Sequence, residues 1–502
     1  MEGLLLGFQV ALSAGNLLYC LLGALLGVLV GILPGLGPAA SIAILLPATF
    51  TLGPSSAIIM LAGIYYGAMY GGSTTSILVR LPGEAASVVT CLDGYEMARQ
   101  GRAGVALGIA AIGSFVAGTL GVVALGLLAP PLAALVLLFG PIEYFALMLL
   151  GVCLVLGLAQ GSRVKAAVMA ALGFLLGLVG LDPVTGEQRF TFGIPALIDG
   201  IGFVPVAMGL FGIAEVLAHA AGAAGGPEVV ASRIGRLLPD RQERARARGP
   251  ILRGSLLGFL VGLLPGGGAV LSSFLSYALE KRLAPDSERF GRGAIEGVAG
   301  PEAANNAAAS ASFIPMLAMG IPSNAVVALM LAALMIHGVT PGPLLVSQHP
   351  DIFWGVIASM YVGNAILLVL SLPLITLFVQ IARVPYRLLG PLVVLFSMAG
   401  AYSLNNDPSD VLIMVLAGVV GFVLRSFAFD PAPFVLTMVI APMMEIALRQ
   451  GLVVARGDLS QFFGRPLAAL MWLASAAVLL GPAVGRIVRS ARADRRASDG
   501  AR

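Results

Sequence analysis

The sequence predicts an all-α polytopic membrane protein, and three observations carry that reading. Hydrophobic residues make up 58% of the 502, charged residues 11%, and the mean hydropathy is +0.98. Soluble domains carry roughly 25% charged residues, so a water-soluble core of this size is excluded. The apolar runs are long and unbroken, whereas a transmembrane barrel would alternate every second residue. The 65 glycines and 31 prolines fit close helix packing and interrupted helices. The expected architecture is about eleven transmembrane helices plus two re-entrant broken-helix hairpins, in two inverted repeats.

The hairpins are read from two stretches, GILPGLGP at Gly31–Pro38 and its echo GLLPGGGA at Gly262–Ala269. Each ends an apolar run and breaks it, because proline lacks a donor and glycine accepts backbone angles other residues avoid. The alternative is a pair of tight loops between ordinary spans. Within a bilayer, though, such backbone is tolerated only where protein or a wet cavity receives its freed N–H and C=O groups. Breaks in corresponding places of two halves point to a transporter binding site.

In chain order, residues 3–14 read as a peripheral helix and Leu17–Leu33 as a membrane-entering one. Ala39–Pro47 is a return arm too short to span, since spanning takes about 20 residues. Ser55–Val79 crosses, and the loop from Arg80 to Arg102 is expected in the cytoplasm. Spans follow at Gly104–Leu128, Glu143–Leu158, Val164–Leu181 and Phe203–Ala220, with Asp182–Gly200 outside. The polar, arginine-rich stretch 222–253 is expected to be a cytoplasmic linker between an N-terminal repeat, 1–221, and a C-terminal repeat, 254–488. Beyond the linker come the arms Gly254–Leu264 and Ala269–Leu279, then Pro301–His337 as a crossing broken near its middle. Phe353–Val379, Leu388–Leu404, Val411–Leu424, Pro433–Leu448 and Pro466–Val488 complete the spans before a basic cytoplasmic tail, 489–502.

Eleven basic residues fall between Arg233 and Arg292 and six between Arg486 and Arg502, which puts both regions on the cytoplasmic side. A nucleic-acid reading lacks an aromatic platform or binding module. The second hairpin is bounded by Arg253, Lys281 and Arg282, and the first has no basic residue before it. The two should therefore enter from opposite faces. Cys20, Cys91 and Cys153 have no metal or CxxC spacing and read as packed thiols. The start MEGLLLGFQV lacks a basic n-region and an A-x-A site, so no cleaved signal peptide is read there.

Enzyme motifs are missing: there is no H-E-x-x-H, P-loop or G-x-S-x-G, and His219, His337 and His349 are isolated. Glu143, Glu215 and Glu445 flank apolar runs, and sequence does not fix their depth. No catalytic residue, resident metal or cofactor is expected. The polar clusters are Gly71–Thr75, Asn305 and Asn306 beside Glu302, and Ser323 and Asn324 after Pro322. Back-bonding or interhelical glue explains any one of these singly, and the grouping beside breaks favours a binding role. Amides, hydroxyls and helix N-termini offer donors to carboxylate oxygens. The clusters hold no Lys or Arg apart from Arg80 at their margin. Helix ends supply only about half a charge each, so a multiply anionic substrate calls for a co-transported sodium ion or proton. The alternative class is a passive organic-anion channel with a continuous polar lining.

At GILPGLGP, YGGSTTSILVRLPGEA, GLLPGGGA and PEAANNAAASASFIPMLAMGIPSNA the chain resembles the large membrane subunit of tripartite tricarboxylate transporters (TctA-like), from Gly15 to Val488. The resemblance implies a multi-pass bacterial inner-membrane secondary transporter for citrate-like carboxylates, coupled to sodium or protons. It implies two partners, a small four-span membrane subunit and a periplasmic substrate-binding protein. On matching positions, the candidate substrate- or cation-binding residues are Gly35, Gly37, Ser73, Thr74, Thr75, Gly266, Gly267, Asn305, Asn306, Ser323 and Asn324.

Overall fold

The computed structural model describes residues 2–33, 37–79, 82–159, 162–182, 185–222, 235–371, 373–374, 377 and 386–480. It is almost wholly helical, with one two-stranded hairpin, Gly180–Leu181 against Gln188–Arg189. In chain order the first half contains α1 (Glu2–Ala11), α2 (Ala14–Ile32), α3 (Gly37–Leu45), α4 (Pro54–Val79), α5 (Thr90–Arg99) and α6 (Ala103–Val136). It continues with α7 (Pro141–Leu158), α8 (Arg163–Gly177) and α9 (Phe203–Ala220), the last containing a π-helical stretch at Met208–Ile213. The second half contains α10 (Arg241–Gly262), α11 (Gly268–Leu283), α12 (Glu296–Ala311), α13 (Phe313–Met319) and α14 (Ala325–Ile336). It ends with α15 (Pro350–Ser371), α16 (Tyr386–Asn405), α17 (Pro408–Ser426), α18 (Ala432–Val454) and α19 (Pro466–Leu480).

Among the described residues, seven helices are long and apolar enough to cross a membrane: α2, α6, α7, α9, α15, α17 and α18. The other expected crossings are shorter helices or are enclosed by protein. The central one is α4, buried on every face from Ala57 to Val79. Around it α2, α13, α14 and α15 build the largest core, with Phe313 and Phe353 fully buried. Exposed leucines such as Leu256, Leu260, Leu395, Leu416 and Leu470 line the outside, as a lipid-facing surface requires.

Glycines set the closest helix approaches. On α2, a Cβ at Gly23, Gly27 or Gly31 would lie 2.3, 2.4 or 2.3 Å from the carbonyl oxygen of Met60, Ile64 or Ala68 on α4. On α10, a Cβ at Gly254, Gly258 or Gly262 would lie 2.3, 2.1 or 2.5 Å from that of Gly300, Ala304 or Ala308 on α12. Small residues four apart let the two backbones touch, which is how helices associate where no hydrophobic force separates them from lipid. The register is the same in both pairs. It sets Gly31 against Gly262, Tyr65 against Asn305, and LPGEA (Leu81–Ala85) against IPSNA (Ile321–Ala325). The two halves thus share one unit: helix, break, arm, long helix, polar turn.

Two segments differ from expectation. The arginine-rich run expected in the linker is helical from Arg241, because Asp240 accepts from the backbone N–H groups of Gln242 and Glu243 while the Glu243 side chain returns to the Asp240 N–H. Those N–H groups, the one of Glu243 foremost, hold the Asp240 carboxyl below its usual range. Ion pairs Arg253–Glu280 and Arg246–Glu296 then dock the helix. Within the stretch Arg80–Arg102, expected as a loop, the described residues contain α5, and Glu84, Ser87, Thr90 and Asp93 are buried. Asp93 is fully buried and accepts from the N–H groups of Gly291, Gly293 and Ala294 and from the Tyr277 hydroxyl.

Replacing Gly258 by alanine drives a methyl into the Ala304 carbonyl and is expected to cost about 1–3 kcal/mol. Gly15, on α2 with open space around it, is the control, and its alanine variant should be neutral or slightly stabilised. Thermal unfolding of the purified chain in detergent compares the two.

Candidate functional site

The breaks bring the two halves together. α10 stops at Gly262, and Leu263–Gly267 turns the chain before α11 starts. Gly266 and Gly268 have φ of +80° and +52°, and Gly37, at the start of α3, has +59°. These left-handed angles explain why glycine stands there. The turn is pinned from two sides. The Gly266 N–H donates to the Ser323 carbonyl at 2.9 Å, and a Cβ on Gly266 would lie 2.7 Å from Cα of Val155 on α7. α11 has no side-chain cap at Gly267, so the N–H groups of its first turn are open to a ligand.

Both arms border one cleft of about 570 Å³. Its walls include Gly37, Pro38 and Ala39 from the first break, Gly266–Val270 from the second, and Ser323 and Asn324 from the polar turn before α14. Its other polar lining residues include Tyr65 of α4, Glu84, Glu215, Arg425 and Asp430.

Two contacts tie the halves together, one at the cleft and one reaching behind its wall. The Asn324 amide Nδ2 donates to the Tyr65 hydroxyl at 3.2 Å, while Asn324 Oδ1 caps α14 by accepting from Val327 N–H at 3.0 Å. Reciprocally, Asn305 Nδ2 donates to Glu84 Oε1 at 2.9 Å, and Glu84 Oε2 accepts from Ala86 N–H at 3.2 Å. In the shared register Glu84 corresponds to Asn324 and Asn305 to Tyr65. The contacts are one interaction made twice, once in each direction.

Of the residues expected from sequence, Gly37, Gly266, Gly267, Ser323 and Asn324 line the cleft together. Ser323 also donates its hydroxyl to the Ser312 carbonyl at 3.2 Å. Asn305, Asn306 and Ser73 lie behind the wall in a buried polar layer. Ser73 Oγ donates to Glu302 Oε2 at 2.5 Å, and Asn306 Nδ2 donates to Ser114 Oγ at 2.7 Å and to the Glu302 carbonyl at 3.0 Å. Thr74 borders a small separate void with Tyr70, Ser73 and Ser114. Thr75 donates back to the Gly72 carbonyl at 3.2 Å, an intrahelical role. Gly35 and Arg80 lie outside the described residues.

Sequence reasoning left Tyr65 and Arg425 out of the site. It also treated Glu84 as a loop residue, although its side chain is buried. The inference that only Arg80 brings fixed positive charge near the clusters is corrected. Arg425 stands on the cleft wall bonded to Glu215, which neutralises the pair. Glu143 is paired with Arg465 and Glu445 with Arg189 and Arg449, so the carboxylates flagged at helix ends are ion-paired. Among the described residues no group of three His, Cys, Asp or Glu side chains is arranged to hold a metal ion.

Comparison with known proteins agrees with this architecture. A relative from Agrobacterium vitis, "Uncharacterized 52.8 kDa protein in TAR-I ttuC' 3'region", is 49% identical over 469 residues, 93% of each chain. A second from the same organism, "Uncharacterized protein in TAR-II ttuC' 3'region", is 49% identical over 224 residues, 44% of this chain and 93% of its own. No solved structure matches. The family model described as "Tripartite tricarboxylate transporter TctA family" matches residues 17–436. The chain belongs to that family.

Proposed function

We propose that the chain is the membrane subunit that carries a di- or tricarboxylate such as citrate across the bacterial inner membrane by cation symport. It takes the substrate from a periplasmic binding protein and works beside a small four-span membrane subunit. The observation that carries the reading is the meeting of two broken helices, one from each half, on one cleft. A carboxylate seated there is met by first-turn N–H groups of α3 and α11 and by the Asn324 amide, at the positive ends of two helix dipoles. The repeated unit with its reciprocal contacts supports an inverted-repeat arrangement, in which one bundle rocks against the other around a fixed site. The apolar part of the cleft wall, Val155, Leu210, Phe211 and Leu436, keeps water from competing for these donors.

Proteoliposomes containing this chain and its two partners should concentrate radiolabelled citrate above the external level when a sodium or proton gradient is imposed, and only then. Accumulation that stops at equilibrium and ignores both gradients would instead indicate a passive channel. Asn324→Ala removes a donor from the cleft and is expected to lower initial uptake about tenfold or more. Asn324→Asp retains the α14 cap but puts a negative charge on the wall. Its uptake should be abolished with thermal stability close to wild type, whereas normal uptake in both variants would remove the cleft from the transport path.

A further inference from the structure

At and just behind the cleft wall two carboxylates share a buried site, and among the described residues neither has a basic partner. Glu302 on α12 is 1% exposed and Glu84 8%. Glu302 accepts from the Ser73 hydroxyl at one oxygen and from the Thr90 hydroxyl at the other. Glu84 accepts from Asn305 Nδ2 at one oxygen and Ala86 N–H at the other. The Asn305 amide and the Ala86 N–H can only donate to Glu84, while each hydroxyl on Glu302 can donate or accept. Among the described residues neither carboxylate forms an ion pair, although Glu143, Glu215, Glu243, Glu280, Glu296 and Glu445 all do. Two negative charges held together in this low-dielectric interior without a cation would cost far more than four hydrogen bonds return.

A second observation, independent of the charges, shows what is wanted there. The Asn305 side chain is 1% exposed, and its carbonyl oxygen Oδ1 is buried with no hydrogen-bond partner. Its orientation is fixed, because the other end of the same amide, Nδ2, donates to Glu84. A buried carbonyl without a donor, beside two carboxylates, is an unfilled ligand position for a hard cation.

We infer that Glu84, Glu302 and Asn305 Oδ1, with the Ser73 and Thr90 hydroxyls, form a sodium-binding site joining the two halves of the chain. This rests on the symport reading and names the place where the driving ion sits. The donor set is all oxygen, as a hard cation prefers, and contains no histidine or thiol. Gly72 makes the site reachable: a Cβ there would lie 2.7 Å from Cγ of Glu84, so only glycine lets the Glu84 stem lie against α4. Glu84 also lines the cleft, which gives the coupling a physical basis. With the site empty, Glu84 repels an incoming carboxylate. With sodium bound the charge is offset and the anion is admitted, so each ligand favours the other by linkage.

The test is saturable binding of ²²Na⁺ to the purified full-length chain in lipid nanodiscs. Wild type should bind, and Glu302→Gln, Asn305→Leu and Thr90→Val should each weaken binding about tenfold or more. Thr90→Ser, which keeps the hydroxyl, should bind like wild type and controls for misfolding, as does Glu143→Gln, distant from the site. Wild type without saturable sodium binding, while a proton gradient still drives citrate uptake, would overturn the sodium site and leave the symport reading intact. Variants that bind as wild type does would also overturn it. Sodium binding lost in the variants, with citrate uptake in wild type indifferent to both sodium and proton gradients, would retain the site and overturn the symport reading.

Discussion

Backbone lying on backbone is the constraint from which the rest of this structure follows. α2 rests on α4, and α10 on α12, through glycines of α2 and α10 at the crossing points. Such contact needs no apolar driving force and survives in lipid. It also fixes where each first helix stops. Gly31 and Gly262 are the last rungs of their ladders, beside Ala68 of α4 and Ala308 of α12, and α2 and α10 end within one residue of them. The breaks lie where they do because the ladders end there.

Once both units are anchored, their polar turns fall opposite one another. Glu84 reaches the second unit at Asn305, and Asn324 reaches the first at Tyr65. The chain repeats the geometry but not the chemistry. One side of the pseudo-symmetric site is a carboxylate with an amide, the other an amide with a phenol. The first presents carboxylate acceptors and the second amide and hydroxyl donors. A single folding unit used twice thereby presents two different sets of polar groups.

Much of the fold was legible from composition and from the two proline-glycine breaks, because membrane burial writes itself as long apolar runs and every helix break costs hydrogen bonds. The start of α10 was not. Its arginines look like a solvated linker until Asp240 and Glu243 are seen to cap one another and Glu280 and Glu296 to receive the charges. At the site, the glycines and Asn324 were legible from their place beside the breaks. Glu84 was not, because its partner Asn305 lies 221 positions away and its burial depends on Gly72 admitting its stem. Arg425 was hidden for the same reason, being 210 positions from Glu215. Long-range pairing of polar groups leaves no periodic trace in a sequence.

If the two breaks serve one substrate, that substrate must shield both. Ala39 and Ala269 stand on the cleft beside the first and second breaks. In a background with Cys20, Cys91 and Cys153 replaced by serine or alanine, each is changed singly to cysteine and alkylated with a membrane-permeant maleimide. The decisive measurement is the labelling rate of Ala39→Cys and Ala269→Cys with and without citrate and sodium. Protection of both positions over the same citrate concentration range is the expected result. Protection of only one, or of neither in a preparation that still takes up citrate, would contradict a shared site.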